Sequence, residues 1–332
     1  NLTGATAPGI FSGIYVSSGA ANIGTVTGNI IGATTGTGSI SISCSVTGIQ
    51  LAFSGICVSS SSPNTVNIQN NNIGSLTIAG TSATVQFVFQ AIYLPVSTAN
   101  YSITDNLIGS TSTANSVAIA SASTSNATFI AIVSATSGTI NVVGNTIQNC
   151  TLNTTGLGVL QGIQVASTTG VLSITNNNII SCTNAGTGGF TAIYNTAPAS
   201  TLNISDNVIR SNIITSGSGL FTGIYNVAAV TTAININNNK LGNASGGLIT
   251  FSVANTTNVT GIYNAAGAST ATLTIQSNDI RGITHTVAGS GNHTYILNSA
   301  ATLSQNINTN TFTALSVNTT GSVTFISNSV SL

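Results

Sequence analysis

Ile204-Ser205-Asp206-Asn207-Val208-Ile209 is the stretch that decides the fold. Apolar residues bracket a short polar turn, and the Asn sits between them. The same phrase, apolar-x-x-Asn-x-apolar, returns around Asn29, Asn71, Asn106, Asn145, Asn177, Asn207, Asn239, Asn278 and Asn310. Self-similarity at a period of a few tens of residues marks a repeat architecture, in which each repeat buries its apolar side against its neighbours. An Asn at a sharp turn has a physical reason, because it tolerates the left-handed conformation better than most residues. Stacked in register, the side-chain amides of successive repeats can bond to one another, so these nine residues are expected to form a ladder.

A second phrase precedes each Asn phrase. It reads aromatic-x-Gly/Ala-Ile-Tyr in Phe11–Tyr15, Phe89–Tyr93, Phe190–Tyr194 and Phe221–Tyr225, with Val259–Tyr263 close to it. Each coil therefore carries two anchored segments. β-Branched residues dominate the short alternating runs, such as Thr201-Leu202-Asn203-Ile204-Ser205, and these read as strands of four to six residues. A coil of this length suits three short strands and three turns. The expectation is an all-β chain, a right-handed parallel β-helix solenoid of about nine to ten coils of roughly 30–40 residues, stacked about 4.8 Å apart. Residues 1–332 read as one solenoid domain, and as a segment or processed piece of a longer secreted precursor.

Composition excludes several functions. The chain is 42% hydrophobic and only 2% charged, with three basic and three acidic residues among 332. An average domain is about a quarter charged. Lys240, Arg210 and Arg281 cannot form the basic stripe that nucleic acid requires. No apolar run approaches the roughly 20 residues that span a bilayer. With net charge near zero, little repulsion keeps copies apart, so self-association is favoured.

Few residues could carry chemistry. The acids are Asp105, Asp206 and Asp279, with no Glu. Asp105 and Asp206 fall three coils apart, roughly 14 Å, whereas paired glycosidase carboxyls need about 5 to 9.5 Å. A lone acid such as Asp279 is also a poor calcium site, since calcium takes six to eight oxygens. No catalytic residue, metal site or cofactor is expected. His285 and His293 share one coil without a third ligand, and read as surface side chains on an insertion. Cys150 and Cys182 occupy one slot in consecutive coils, within disulfide reach or as two stacked thiols, and Cys44 and Cys57 are a candidate second bond. Tyr15, Tyr93, Tyr194, Tyr225 and Tyr263 form either an outward contact stripe or an internal stack. Phe and Ile at an offset of three fall on opposite faces of an ideal strand, unless a bulge intervenes.

The Gly-Ile-Tyr-Asn and Asn-x-Ile repeats over nearly the whole chain resemble secreted right-handed parallel β-helix repeat proteins. These are the pectate-lyase-like superfamily in its non-catalytic surface or adhesin-like form, of the kind found in gliding, Bacteroidota-type bacteria. The resemblance implies an extracellular or cell-surface setting. Catalysis in that superfamily looks like work done by clustered acids, which this chain lacks. The leading expectation is a structural subunit of a fibre, filament or sheath built from stacked or laterally packed rods. An adhesin or glycan-binding stalk is the alternative. An ice-binding protein or a polysaccharide-degrading enzyme is more remote.

Overall fold

A computed structural model gives the architecture, and it describes residues 10–44, 50–60, 65–80, 86–121, 127–166 and 170–330. Every strand pairing between successive coils is parallel, and no helix occurs among the described residues. The strands fall into four sheets of ten, nine, nine and eight strands. One coil runs through Gly189–Asn195, Thr201–Ser205, Val208–Arg210 and Asn212–Ile214, one strand in each sheet. The next coil begins at Phe221–Asn226, which pairs with Gly189–Asn195. Eight such four-strand turns follow one another. A ninth turn adds three strands, and Val323–Asn328 adds a tenth to the first sheet.

The coil therefore has four strands where three were expected. The reason is the corner after the third strand, which in several coils is a single residue. Ser211 (φ 57°) joins Val208–Arg210 to Asn212–Ile214, and Ser75 and Asn149 do the same in other coils at φ 55° and 57°. One left-handed residue turns the chain without any polar stretch to mark the break.

The corner between the second and third strands holds the Asn ladder, with one correction. The left-handed residue is the one before the ladder Asn: Asn70, Asp105, Asn176, Asp206, Asn238, Ser277 and Thr309 have φ between 52° and 60°. The ladder Asn is free of that duty, and its side chain points inward. Asn177 Nδ2 donates to Asn207 Oδ1 at 3.0 Å and to the carbonyl of Val142 at 2.8 Å. Its Oδ1 accepts from both the backbone N and Nδ2 of Asn145, each at 3.0 Å. All eight steps from Asn29 to Asn310 carry the same amide–amide bond, between 2.8 and 3.0 Å. Since a buried amide without partners costs free energy, this repetition pins the register of each coil on the next.

Around the ladder the alternation works as read. In Thr201–Ser205, Leu202 and Ile204 are fully buried while the residues between them face outward. In the first sheet alternation breaks at the Gly/Ala. Phe190, Ala192 and Ile193 are all fully buried, as are Phe221 and Ile224. The small residue and the Ile beside it both turn inward, which reconciles the offset of three. A Cβ on Gly223 would lie 2.6 Å from the Gly261 carbonyl oxygen and 2.8 Å from the Leu241 side chain, so even a methyl there would make its neighbours shift. Phe190 and Phe221 meet edge to face at 5.6 Å between centroids. Burying each such side chain contributes about 1.5–3 kcal/mol. The insertion Thr34–Gly38 stands off this core as an exposed loop.

Candidate functional site

The outward positions of the first sheet form two continuous rows. One runs Tyr194, Tyr225, Tyr263 and Leu297, in register from strand to strand. Beside it runs Thr191, Thr222, Thr260, Thr294 and Thr324, of which the first three are largely covered by their neighbours. Of the two readings of the tyrosines, the outward stripe is the one the fold contains. Tyr194 and Tyr225 stack at 5.3 Å with planes 19° apart, and Tyr225 and Tyr263 at 4.8 Å and 9°. Strand spacing sets that distance. Tyr225 thus has both ring faces covered and shows its edge to solvent. Burial, with Tyr263 and Tyr194 alongside, raises the Tyr225 pKa, so its hydroxyl stays protonated.

At the other end of the row the pile is interrupted. Tyr15 pairs with Cys57, and Cys57 with Tyr93. The strand positions of Tyr15 and Tyr93 are two spacings apart, about 9.5 Å, with Cys57 between them in the row. A groove of about 230 Å³ opens there, lined by Tyr15, Ser54, Cys57, Gln90, Tyr93 and Pro95 among others. Tyr15 is 62% exposed and Cys57 only 7%. Burial is the main cause of the raised pKa of Tyr93, with Cys57 adding to it.

Comparison with known proteins finds no matching protein family, curated protein or solved structure for this chain. Identity therefore rests on the stack of coils itself. The chain is a parallel β-solenoid repeat protein.

The acids of this solenoid are not gathered. Asp105 and Asp206 are exposed and occupy the left-handed corner position three coils apart, as expected. Asp279 accepts a hydrogen bond from the Thr311 hydroxyl at 2.8 Å and lies in register with Lys240. No group of three His, Cys, Asp or Glu suited to a metal ion occurs among the described residues. No helix among them is long and apolar enough to cross a membrane.

The histidines correct the sequence reading. His285 ends the strand Ile283–His285, whose pattern is buried, exposed, buried. His293 takes the inward slot that Val259 fills one coil before. Both are inside, at 7% and 0% exposure, with Nε2 atoms 3.1 Å apart. Phe251 stacks on His285 at 4.7 Å, and neither Nδ1 has a partner within the protein. Desolvation lowers both pKa values, that of His293 to about 4 with His285 contributing, so the pair is neutral at pH 7.

The cysteines divide. Cys150 and Cys182 are fully buried thiols in the slot that Asn212 fills in the next coil. Burial, then the neighbouring Cys182, pushes the Cys150 thiol well above its ordinary value. Cys57 is a free thiol in the tyrosine row of the first sheet, whereas Cys44 ends a strand of the fourth sheet. Of the suggested Cys44–Cys57 pair, Cys57 is a free thiol and the Cys44 side chain lies outside the described residues. We expect iodoacetamide to leave Cys150 and Cys182 unmodified in the native protein. Both should be labelled once guanidinium unfolds it without reductant. Peptide masses check this, and an unlabelled, linked pair after unfolding would contradict it.

One functional element went unread. Asn195, Asn226, Asn264, Asn298 and Asn328 form a second internal ladder at the end of the first-sheet strands, with steps of 2.7 to 2.8 Å. The signal was the Asn two places after the Ile, in Ile-Tyr-Asn for three of them and in Ile296-Leu297-Asn298 and Ile326-Ser327-Asn328 for the others.

Proposed function

We propose that this chain is a structural repeat protein, a rod that packs side by side with copies of itself in an extracellular fibre, sheath or surface layer. The supporting observation is the outer face of the first sheet between Thr191 and Thr324. It carries rows of Tyr and Thr and holds no charged side chain along those two rows. At one strand per 4.8 Å, its five strands give a face on the order of 20 Å tall. Tyr contributes large rigid contact area with a hydroxyl at its rim, and an uncharged face meets its copy without repulsion. The interior is consistent with this role. Its polar groups are spent on ladders that hold coils in register.

The extracellular setting belongs to the same proposal. So does kinship with secreted surface proteins of the pectate-lyase-like superfamily from Bacteroidota-type bacteria, for which the repeats speak.

The test is sedimentation velocity over a dilution series, with electron microscopy of the same samples. We expect reversible association of the natural chain into laterally paired or bundled rods. Tyr225→Lys with Thr294→Lys, two outward charges that leave the core untouched, should return it to single rods. Single rods of the natural chain at every concentration would overturn the proposal.

A further inference from the structure

We propose that the groove between Tyr15 and Tyr93 is a binding slot for one pyranose ring of an uncharged oligosaccharide. This does not depend on lateral packing, because the slot lies on the first three strands of the sheet and the tyrosine stack proposed for packing lies on the sixth to eighth.

The argument starts from the row. Where Tyr follows Tyr, rings stack at 4.8 to 5.3 Å. The row continues from Tyr93 through Val133 and Gln164 to Tyr194. Cys57 is its one non-aromatic position with a Tyr on both sides, the two flanking strand positions lying about 9.5 Å apart. That gap accepts one six-membered ring at the spacing the stack itself uses. Tyr225 cannot serve in this way, since Tyr194 and Tyr263 already cover both its faces. A pyranose offers C–H groups on both faces and hydroxyls around its edge, so the walls and the rim of its site must differ in character. The groove meets that need. Its walls are Tyr15 and Tyr93, and its floor and rim carry Ser12, Ser54, Ser59 and Gln90. Ser12 and Ser54 already share a hydrogen bond at 3.1 Å, which orients hydroxyls beside the slot. An aromatic ring would fill the same gap but offer no hydrogen bond to Ser59 or Gln90 at the rim. Ligand sites of this size pair apolar walls with a few placed polar groups.

Charge narrows the ligand. No Lys, Arg, Asp, Glu or His lines the groove, so nothing there would pair with a uronate or a sialate. Neutral hexose or N-acetylhexosamine units fit it. Cys57 acts only through its small size, leaving the ring position open.

Titration calorimetry of the natural chain tests the slot with four probes: β-1,4-glucohexaose, N-acetylglucosamine hexaose, galacturonate hexamer and N-acetyl-tyrosinamide. We expect at least one neutral hexaose to bind and the galacturonate hexamer not to. Cys57→Tyr, which completes the stack, and Tyr93→Ala, which removes a wall, should each weaken binding at least tenfold. Tyr225→Ala should leave it within twofold, and circular dichroism of each variant checks that the coil stack is intact. The assignment fails if neither neutral hexaose binds, if only the tyrosine amide binds, or if folded Cys57→Tyr binds as the natural chain does.

Discussion

Asn177→Ala should destabilise the solenoid by about 2–4 kcal/mol, although it removes no apolar contact of consequence. The side chain is fully buried at the middle of the ladder. Its Oδ1 is the acceptor for two donors of Asn145, the backbone N and Nδ2, and its own Nδ2 serves the Val142 carbonyl and Asn207 Oδ1. Alanine leaves the Asn145 backbone N–H buried with no acceptor, while Asn145 Nδ2 keeps the Ile103 and Val143 carbonyls at 2.8 and 3.2 Å. The unsatisfied donor costs about 1–3 kcal/mol, and the lost amide bonds add about 1 kcal/mol. The comparison is Asn235, which bonds to Asn203 at 2.9 Å on an outward, half-buried part of the second sheet. There water replaces the lost partner, and Asn235→Ala should cost under about 1 kcal/mol. Urea unfolding of both variants gives the two numbers. Stability in a solenoid is roughly a sum of coil and interface terms. A break at a central coil should therefore also split the transition, which separate probes in the two halves would reveal. A loss for Asn177→Ala no greater than for Asn235→Ala would remove the ladder from its place as the register lock.

How much of this could be read in advance depends on how each feature is written in the chain. The ladder was legible because an Asn flanked by apolar residues is an unusual pattern, and its recurrence fixes one slot per coil. Which residue turns the corner was not. Asn70, Asp105, Asp206, Ser277 and Thr309 differ in type, and the left-handed duty falls on whatever short polar residue precedes the ladder Asn. The fourth strand was hidden because in coils such as those of Asn149 and Ser211 one residue alone separates it from the third, with no Gly- or Pro-rich break. The outward tyrosines were undecided because the alternation fails between Ala192 and Ile193, a point where only packing shows that both residues face inward. The slot at Cys57 needed two neighbours in space, Tyr15 and Tyr93, that lie 42 and 36 positions away in the chain. His285 and His293 were misplaced because the segment between them, Thr286 to Asn292, is loop-like. The alternation Ile283-Thr284-His285 already pointed the first imidazole inward.

Those two imidazoles give the solenoid an acid sensitivity that its carboxylates do not supply by clustering. In the neutral pair one Nε2–H donates to the other Nε2 lone pair across 3.1 Å. A proton on the acceptor turns that contact into two opposed donors inside an apolar coil, beside Phe251 and Tyr295 and with no acid in contact to compensate. The sign follows from the lowered pKa values. The unfolded chain takes up protons near pH 6.5 and the folded chain only near pH 4 for His293, with His285 also lowered. Stability is therefore full above about pH 6.5, declines as pH falls toward 4, and changes no further from this source below that. For His293, now fully buried, the decline amounts to about 3 kcal/mol. Urea midpoints from pH 7 to pH 4 should show it. The slots themselves suggest the control, since Phe251 precedes His285 and Val259 precedes His293 in register. The double variant His285→Phe with His293→Val should fold and hold a flat profile across that range, because it replaces the pair by the residues that neighbouring coils already pack there. An unchanged acid slope in the double variant would mean that the sensitivity resides elsewhere in the stack.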